Sequence, residues 1–295
     1  MSGRMYNYSV YGLNLSSEIE LPELTPSDSI GDVKVHLRSG GETQFNNQPI
    51  RNSLEIDEVE ARLTLETLGT IMVRSGDEII VYPKKGIDNL ILKRYIYGTI
   101  LAILLFQRGN LVLHAGSIEI DNKAVAFLGE SGTGKSTIVA AFHQWGFGVI
   151  SDDITIVHWD DNGTPIIYPG FPQLKLSDAS AQSFGFSLDM STPIGGHDGK
   201  RGYRLDHGFI QRPIELGAMF ILGNNNKIQL LSPQEVVKEL IKNTYPTRFA
   251  KSGNSNHFKQ IINLANRVPA YRLGRAKSLS DMKTLKTEVL NAING

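Results

Sequence analysis

The sequence predicts an α/β fold with a smaller β-rich section in front, on three observations. An apolar run, residues 124–128, leads through a glycine-rich turn into a helical pattern that begins near Ile138. Residues 6–82 instead alternate polar and apolar side chains in short runs, the two-residue period of half-buried strands. After residue 210 apolar strand patterns alternate with capped helical ones.

Taken in order, residues 6–13, 32–38, 62–66, 70–74 and 78–82 read as strands, four to six of them antiparallel. Residues 20–24 read as a loop, because Pro22 and Pro26 interrupt any ladder, and residues 40–47 as a mobile loop. Residues 89–108 predict a helix that is apolar on several faces and so packs between layers, with Gly109 as its C-cap. A boundary near residues 84–86 divides a β-rich domain (1–86) from a second domain (87–295), bridged by that helix. Strands follow at 110–115, ending in His114, and at 117–123, with a turn at Asp121-Asn122. These two and the strand before the glycine turn are expected to be neighbours. Another strand, 147–153, ends in Asp152 and Asp153.

Composition narrows the function. The 295 residues allow one large or two modest domains. Thirty basic residues balance thirty acidic ones, so no global field favours nucleic acid or an anionic membrane. Without cysteine there is no disulfide, thiolate zinc site or thiol nucleophile, which fits a reducing compartment. The N-terminus carries no signal-peptide pattern, and the uncharged run 95–106 is too short to span a bilayer. A cytoplasmic protein is expected, with no nucleic-acid or membrane partner.

The glycine turn carries the chemistry. Gly129-Glu130-Ser131-Gly132-Thr133-Gly134-Lys135-Ser136-Thr137 has the form G-x-x-x-x-G-K-S, the phosphate-binding P-loop. Glycines let the backbone curl so that its N–H groups and the following helix N-terminus face an anion. Lys135 would reach the β- and γ-phosphates, and the Ser136 hydroxyl would help hold Mg²⁺. A strand ending in acid downstream of such a helix is where a metal-holding carboxylate belongs. Neighbouring side chains on an extended strand point to opposite faces, so both acids reach one phosphate only if the chain bends there. One would hold metal, the other would take a proton from an attacking hydroxyl.

Three spacings resemble the HPr kinase/phosphorylase family. His114 stands fifteen residues before Gly129, Glu119 five after His114, and Asp152 and Asp153 seventeen and eighteen after Lys135. The resemblance covers about forty residues, Leu113 to Asp153. It implies a kinase using ATP and Mg²⁺ to phosphorylate a protein serine, on the P-loop core shared with phosphoenolpyruvate carboxykinase. It also implies that Asp152 is the base; Asp153 is then assigned to the metal, and His114 and Lys135 are expected to carry charge in catalysis. Two features depart from the family: Ala115 stands where glycine is usual, and the C-terminal signature has no match. The β-rich front, the bridging helix and the L-H-A-x-x-x-E stretch are similar to lasso-peptide tailoring kinases. That likeness implies the C-terminal serine of a precursor peptide as acceptor, and relatives suggest a homo-oligomer.

In the remaining chain, residues 168–176 read as a loop leading to a strand, with Ser177 or Asp178 as the cap of a short helix. Residues 191–199 predict a mobile loop running into Lys200, Arg201 and Arg204, a candidate lid. Arg248, Arg272 and Arg275 are further candidates for binding an acceptor's carboxylate or phosphate. Residues 214–222 and 270–273 predict strands. Ser232-Pro233-Gln234-Glu235 opens a helix, and helices are expected over 258–267 and 279–293. A nucleotide-binding switch without transfer, and a small-molecule kinase or phosphorylase, are the alternative readings.

Overall fold

A computed structural model describes residues 4–39, 52–57, 59–195, 199–223, 228–245, 255–276 and 278–294. The expected mobile loop at 40–47 and Arg248 lie outside them.

The front section is an eight-stranded sheet. Its strands are β1 (Tyr6–Val10), β2 (Leu13–Ser17), β3 (Thr25–Pro26), β4 (Val33–Leu37), β5 (Ser53–Ile56), β6 (Glu60–Leu65), β7 (Gly69–Arg74) and β8 (Glu78–Pro83). The spatial order is β3-β1-β2-β4-β8-β7-β6-β5. Two corrections follow. The sheet exceeds the expected four to six strands, and it is mixed: β4 runs parallel to both β2 and β8. What reads as one strand over 6–13 is a hairpin, turned at Tyr11 (φ 53°) and Gly12 (φ 74°). Tyr11 hides this turn from sequence reading, because an aromatic residue seldom takes positive φ.

The bridging helix is built in three parts: α1 (Asn89–Tyr95), a π turn (Ile96–Ile100) and α2 (Leu101–Gln107). Asp88 caps its start by accepting the Leu90 N–H, and Gly109 ends it at φ 79°. By length and composition alone, Asn89–Gln107 could cross a membrane, which the uncharged run did not suggest. Here half of its most apolar window is buried. Ile96, Ile100, Leu101 and Leu104 sit in one core with Leu15, Val35 and Val81 of the front sheet and with Ile154 and Phe171 beyond the helix.

Next come β9 (Leu111–Leu113), β10 (Ala115–Ile120), β11 (Lys123–Leu128), α3 (Lys135–Gln144), β12 (Gly148–Ser151), β13 (Thr155–Trp159) and β14 (Pro165–Ile167). They precede β15 (Gln173–Ser177), α4 (Asp178–Ser183), β16 (Ser191–Pro193), β17 (Lys200–Arg204) and the long β18 (Ile214–Gly223). The chain closes with β19 (Gln229–Leu230), α5 (Pro233–Asn243), α6 (Ser255–Arg267), β20 (Ala270–Gly274) and α7 (Leu279–Asn294). The second sheet is mixed, with β18 parallel to β11 on one side and to β20 on the other.

Alternation along β11 builds two cores. Val125 and Phe127 pack with Phe142 of α3 and Leu285 of α7. Ala124, Ala126 and Leu128 pack with Leu240 of α5 and Leu264 of α6. The molecule is thus a mixed α/β fold. One expected neighbour is not found: β9 lies at the far edge beside β13, away from β10 and β11. A small third sheet, β15-β17-β16, takes in residues 191–193 and 200–204, where a mobile loop was expected.

Candidate phosphoryl-transfer site

The glycine loop is shaped by three backbone angles. Gly129, Gly132 and Gly134 have φ of 153°, 80° and 100°, positions that side chains other than glycine rarely adopt. At Gly129 a Cβ would also meet the Thr133 Oγ1 at 2.8 Å. Thr133 is held by donating its hydroxyl to the Glu130 carbonyl at 2.8 Å. Gly134 caps α3, so the loop amides and the helix start share one mouth. Lys135 is buried and folds back: its Nζ donates to the Gly129 and Glu130 carbonyls at 2.6 and 2.9 Å.

The twin aspartates follow β12. A buried hydroxyl chain pins this strand end: Ser151 Oγ lies 2.6 Å from Ser117 Oγ and 2.8 Å from Thr155 Oγ1. The chain then bends. Asp153 has φ 73°, and the Ile154 N–H donates to the Asp152 carbonyl at 2.9 Å, a three-residue turn. This bend brings adjacent side chains to one site, where a straight strand would splay them.

The two carboxylates sit differently. Asp152 is 6% exposed. Its Oδ2 accepts the Lys175 backbone N–H at 2.8 Å, and its Oδ1 is buried with no hydrogen-bond partner. Burial pushes its pKa up, and the Asp153 charge adds to that. The Lys175 N–H, the Ser136 hydroxyl and the Lys175 charge pull the other way. Asp153 is ion-paired to Lys175 Nζ at 2.9 Å and lies 3.2 Å from His114 Nδ1. Burial would raise its pKa, but Lys175 and His114 outweigh burial and hold it well below the usual carboxylate range. The His114 Nδ1 also stands 3.1 Å from the Asp153 carbonyl oxygen, while its Nε2 is buried without a partner.

These groups line one space. A cavity of about 250 Å³ is bounded by Ser131, Gly132, Gly134, Lys135, Ser136 and Thr137 on the loop side. Opposite them stand His114, Asp153, Lys175 and Lys200. Asp152 is not among the residues that line this cavity, although the Ser136 hydroxyl acts on its carboxylate. No group of three or more His, Asp or Glu side chains suited to a metal occurs among the described residues. A Mg²⁺ fits this site differently, as an ion held mostly by phosphate and water oxygens. The Ser136 hydroxyl and the orphaned Asp152 Oδ1 are oxygens of the kind it takes.

Other expected residues fall elsewhere. Of the lid candidates, only Lys200 lines the cavity. Arg201 donates from Nε to Ser191 Oγ at 2.5 Å, and Arg204 donates to the Pro22 carbonyl at 2.9 Å, so both are strand residues fixed to neighbours. Arg272 pairs with Glu239 at 3.4 Å, outside the cavity lining, as is Arg275. Glu119 keeps the family spacing but sits opposite Ala124, at the end of β10–β11 away from the loop, where Arg212 pairs with it. Lys175 is the residue the sequence did not single out. It stands in an alternating strand pattern, and only the tertiary fold brings it to Asp153.

No family model matches the chain, and no curated protein sequence matches it. Among solved structures, the chain is similar to the Hpr(Ser) kinase/phosphatase from Coxiella burnetii. The identity is 14% over 61% of this chain and 89% of that one, with a TM-score of 0.35. At that level the likeness is coarse, and the functional reading rests on the residues above.

Proposed function

We propose that this chain is an ATP- and Mg²⁺-dependent kinase that transfers the γ-phosphoryl group to a serine hydroxyl of a peptide or protein. One observation carries the reading: the glycine loop, Ser136, His114, Asp153 and Lys175 surround a single cavity. The loop amides and the α3 N-terminus hold the phosphates, and Lys135 exchanges its two carbonyl partners for phosphate oxygens. Ser136 and Asp152 would hold the Mg²⁺, which when bound would supply positive charge for the phosphates. The serine oxygen bonds to the γ-phosphorus as the bond to the β-phosphate oxygen breaks, and ADP leaves. The hydroxyl proton passes to Asp153, the aspartate that faces the cavity. This exchanges the two roles expected from the sequence, because geometry comes before pKa in choosing a base. Lys175 and His114 position Asp153. The C-terminal serine of a ribosomal precursor peptide, as in lasso-type pathways, is the first acceptor to test.

Incubation with γ-labelled ATP and serine peptides tests this directly. Asp153→Asn is expected to lose transfer by about 10²–10⁴-fold, whereas Asp152→Asn chiefly raises the Mg²⁺ concentration required. If Asp153→Asn transfers label as wild type does, the base assignment fails. Nucleotide binding with no transfer to any serine peptide would favour the switch reading instead.

A further inference from the structure

The front sheet meets the strand that delivers the aspartates through one residue. Tyr11 sits at the tip of the β1–β2 hairpin with φ 53°, a conformation that aromatic residues seldom take and that persists only where the surroundings enforce it. Hairpin tips ordinarily face solvent, yet Tyr11 is 3% exposed. Resting on the kinase reading, we propose that Tyr11 is a positioning residue for phosphoryl transfer: its ring edge, seated in the space that Gly170 leaves open next to Ser151, fixes the bend that presents Asp153.

Close approach is the first support. A Cβ at Gly170 would lie 3.1 Å from Tyr11 Cε1, 3.3 Å from Tyr11 Oη and 3.3 Å from Ser151 Cβ. The absent side chain is therefore what lets the ring edge and Ser151 share this spot. The other tip residue is as tightly seated, since a Cβ at Gly12 would meet Tyr168 Cδ1 at 2.5 Å. Hydrogen bonds are the second support. The Tyr11 N–H donates to the Pro169 carbonyl at 2.8 Å, and the Gly170 N–H donates to the Ile150 carbonyl at 2.9 Å. Hairpin tip, residues 169–170 and β12 are thus bonded in series.

The third support is where the two docked segments lead. Ser151 runs directly into Asp152 and Asp153. Gly170 runs into β15, where the Lys175 N–H and ammonium bind Asp152 and Asp153 in turn. Both arms of the aspartate–lysine cluster therefore leave from the place where Tyr11 docks. The phenol also feels both carboxylate charges, which add to burial in keeping it protonated. Tyr11 does not line the phosphate cavity, so it acts through Ser151 and the 170–175 segment and not on the substrate. Such action is strong in principle, because a 1 Å misplacement of a reacting group can cost about 10²-fold in rate.

The test uses the full chain with Mg²⁺ and compares wild type, Tyr11→Phe, Tyr11→Leu, Gly170→Ala and the Tyr11→Leu/Gly170→Ala pair. Initial rates with γ-labelled ATP and serine peptides are expressed per mole of protein that binds a non-hydrolysable ATP analogue, so unfolded protein drops out. Tyr11→Leu is expected to lower kcat by about 10–100-fold with KM for ATP unchanged. Tyr11→Phe keeps the ring edge and should restore most of that rate. Gly170→Ala pushes on the same ring, so it should lower kcat by itself and add little to Tyr11→Leu. His114, 3.2 Å from Asp153, reports where the carboxylate stands. Its ring-nitrogen NMR signals, assigned by their absence in His114→Gln, should shift in Tyr11→Leu and stay in place in Tyr11→Phe. A wild-type kcat in Tyr11→Leu, a loss confined to KM for ATP, unmoved His114 signals, or additive losses in the pair would overturn the proposal. If wild type labels no serine peptide, the kinase reading fails instead, and the His114 signals still decide whether Tyr11 sets the place of Asp153.

Discussion

Lys175 ties both aspartates together, with its backbone N–H on Asp152 and its ammonium on Asp153. Removing one partner of a buried ion pair costs about 3–5 kcal/mol, and of an exposed pair about 1 or less. The side chains here are 16% and 28% exposed, so Lys175→Met should cost about 2 kcal/mol in urea unfolding. Adding Asp153→Asn should recover part of that loss, because it removes the stranded charge. The pH dependence has two opposed parts. Asp153, with its pKa lowered in the fold, contributes stability that is present above its unfolded pKa and lost as pH falls through its folded one. Asp152, with its pKa raised, contributes stability below its unfolded pKa that is lost as pH rises through its folded one. Asp152→Asn should therefore raise the Tm at neutral pH, and the gain over wild type should vanish as pH falls below about 4. A gain that persists in acid would show that the effect is packing and not charge.

At the scale of elements, the glycine loop separates two kinds of constraint. Gly129→Ala adds a Cβ 2.8 Å from Thr133 Oγ1 at φ 153°, so the loop itself must shift. Gly134→Ala meets no atom within 4 Å and suffers only from its φ of 100°, about 1–2 kcal/mol of backbone strain. Nucleotide titration should show Gly129→Ala losing affinity by the larger factor. α5 offers a control away from the site. Ser232 accepts the Glu235 N–H, and the Glu235 side chain accepts the Ser232 N–H at 2.9 Å. Ser232→Ala should therefore cost about 1 kcal/mol and leave nucleotide affinity intact. The reciprocal cap explains why this helix start was legible in four residues: its hydrogen bonds are all local. Residues 191–204 were not legible in the same way. Their strands β16 and β17 form by pairing with each other and with β15, and such partners leave no mark on local composition.

Across the whole molecule, the front sheet and the rest of the chain share buried surface. Tyr11, at a hairpin tip, is 3% exposed, and its N–H donates to the Pro169 carbonyl at 2.8 Å. The nearby charges of Asp152 and Asp153 add to burial in raising its phenol pKa. The bridging helix buries Ile96, Ile100, Leu101 and Leu104 against both parts. A fragment of residues 87–295 would expose that face, and it is expected to aggregate or unfold where the full chain is monodisperse by size-exclusion chromatography. Recovery of a soluble, nucleotide-binding fragment would show that residues 87–295 fold alone. Tyr11→Ala, which removes a buried aromatic ring, should cost about 3–5 kcal/mol.

By itself the sequence determined what depends on neighbours along the chain. That covers the glycine loop and the helix after it, the turn at Asp121-Asn122, the capped start of α5 and the strand that delivers two adjacent acids. Each is specified by backbone angles or hydrogen bonds within a few residues. Only the tertiary structure decided which acid lines the cavity, that Lys175 bonds to both, that Glu119 lies at the wrong end of its strand, and that the bridging helix borders the site. Those placements depend on contacts between residues far apart in the chain, and no local pattern encodes which distant partner a strand or side chain will meet.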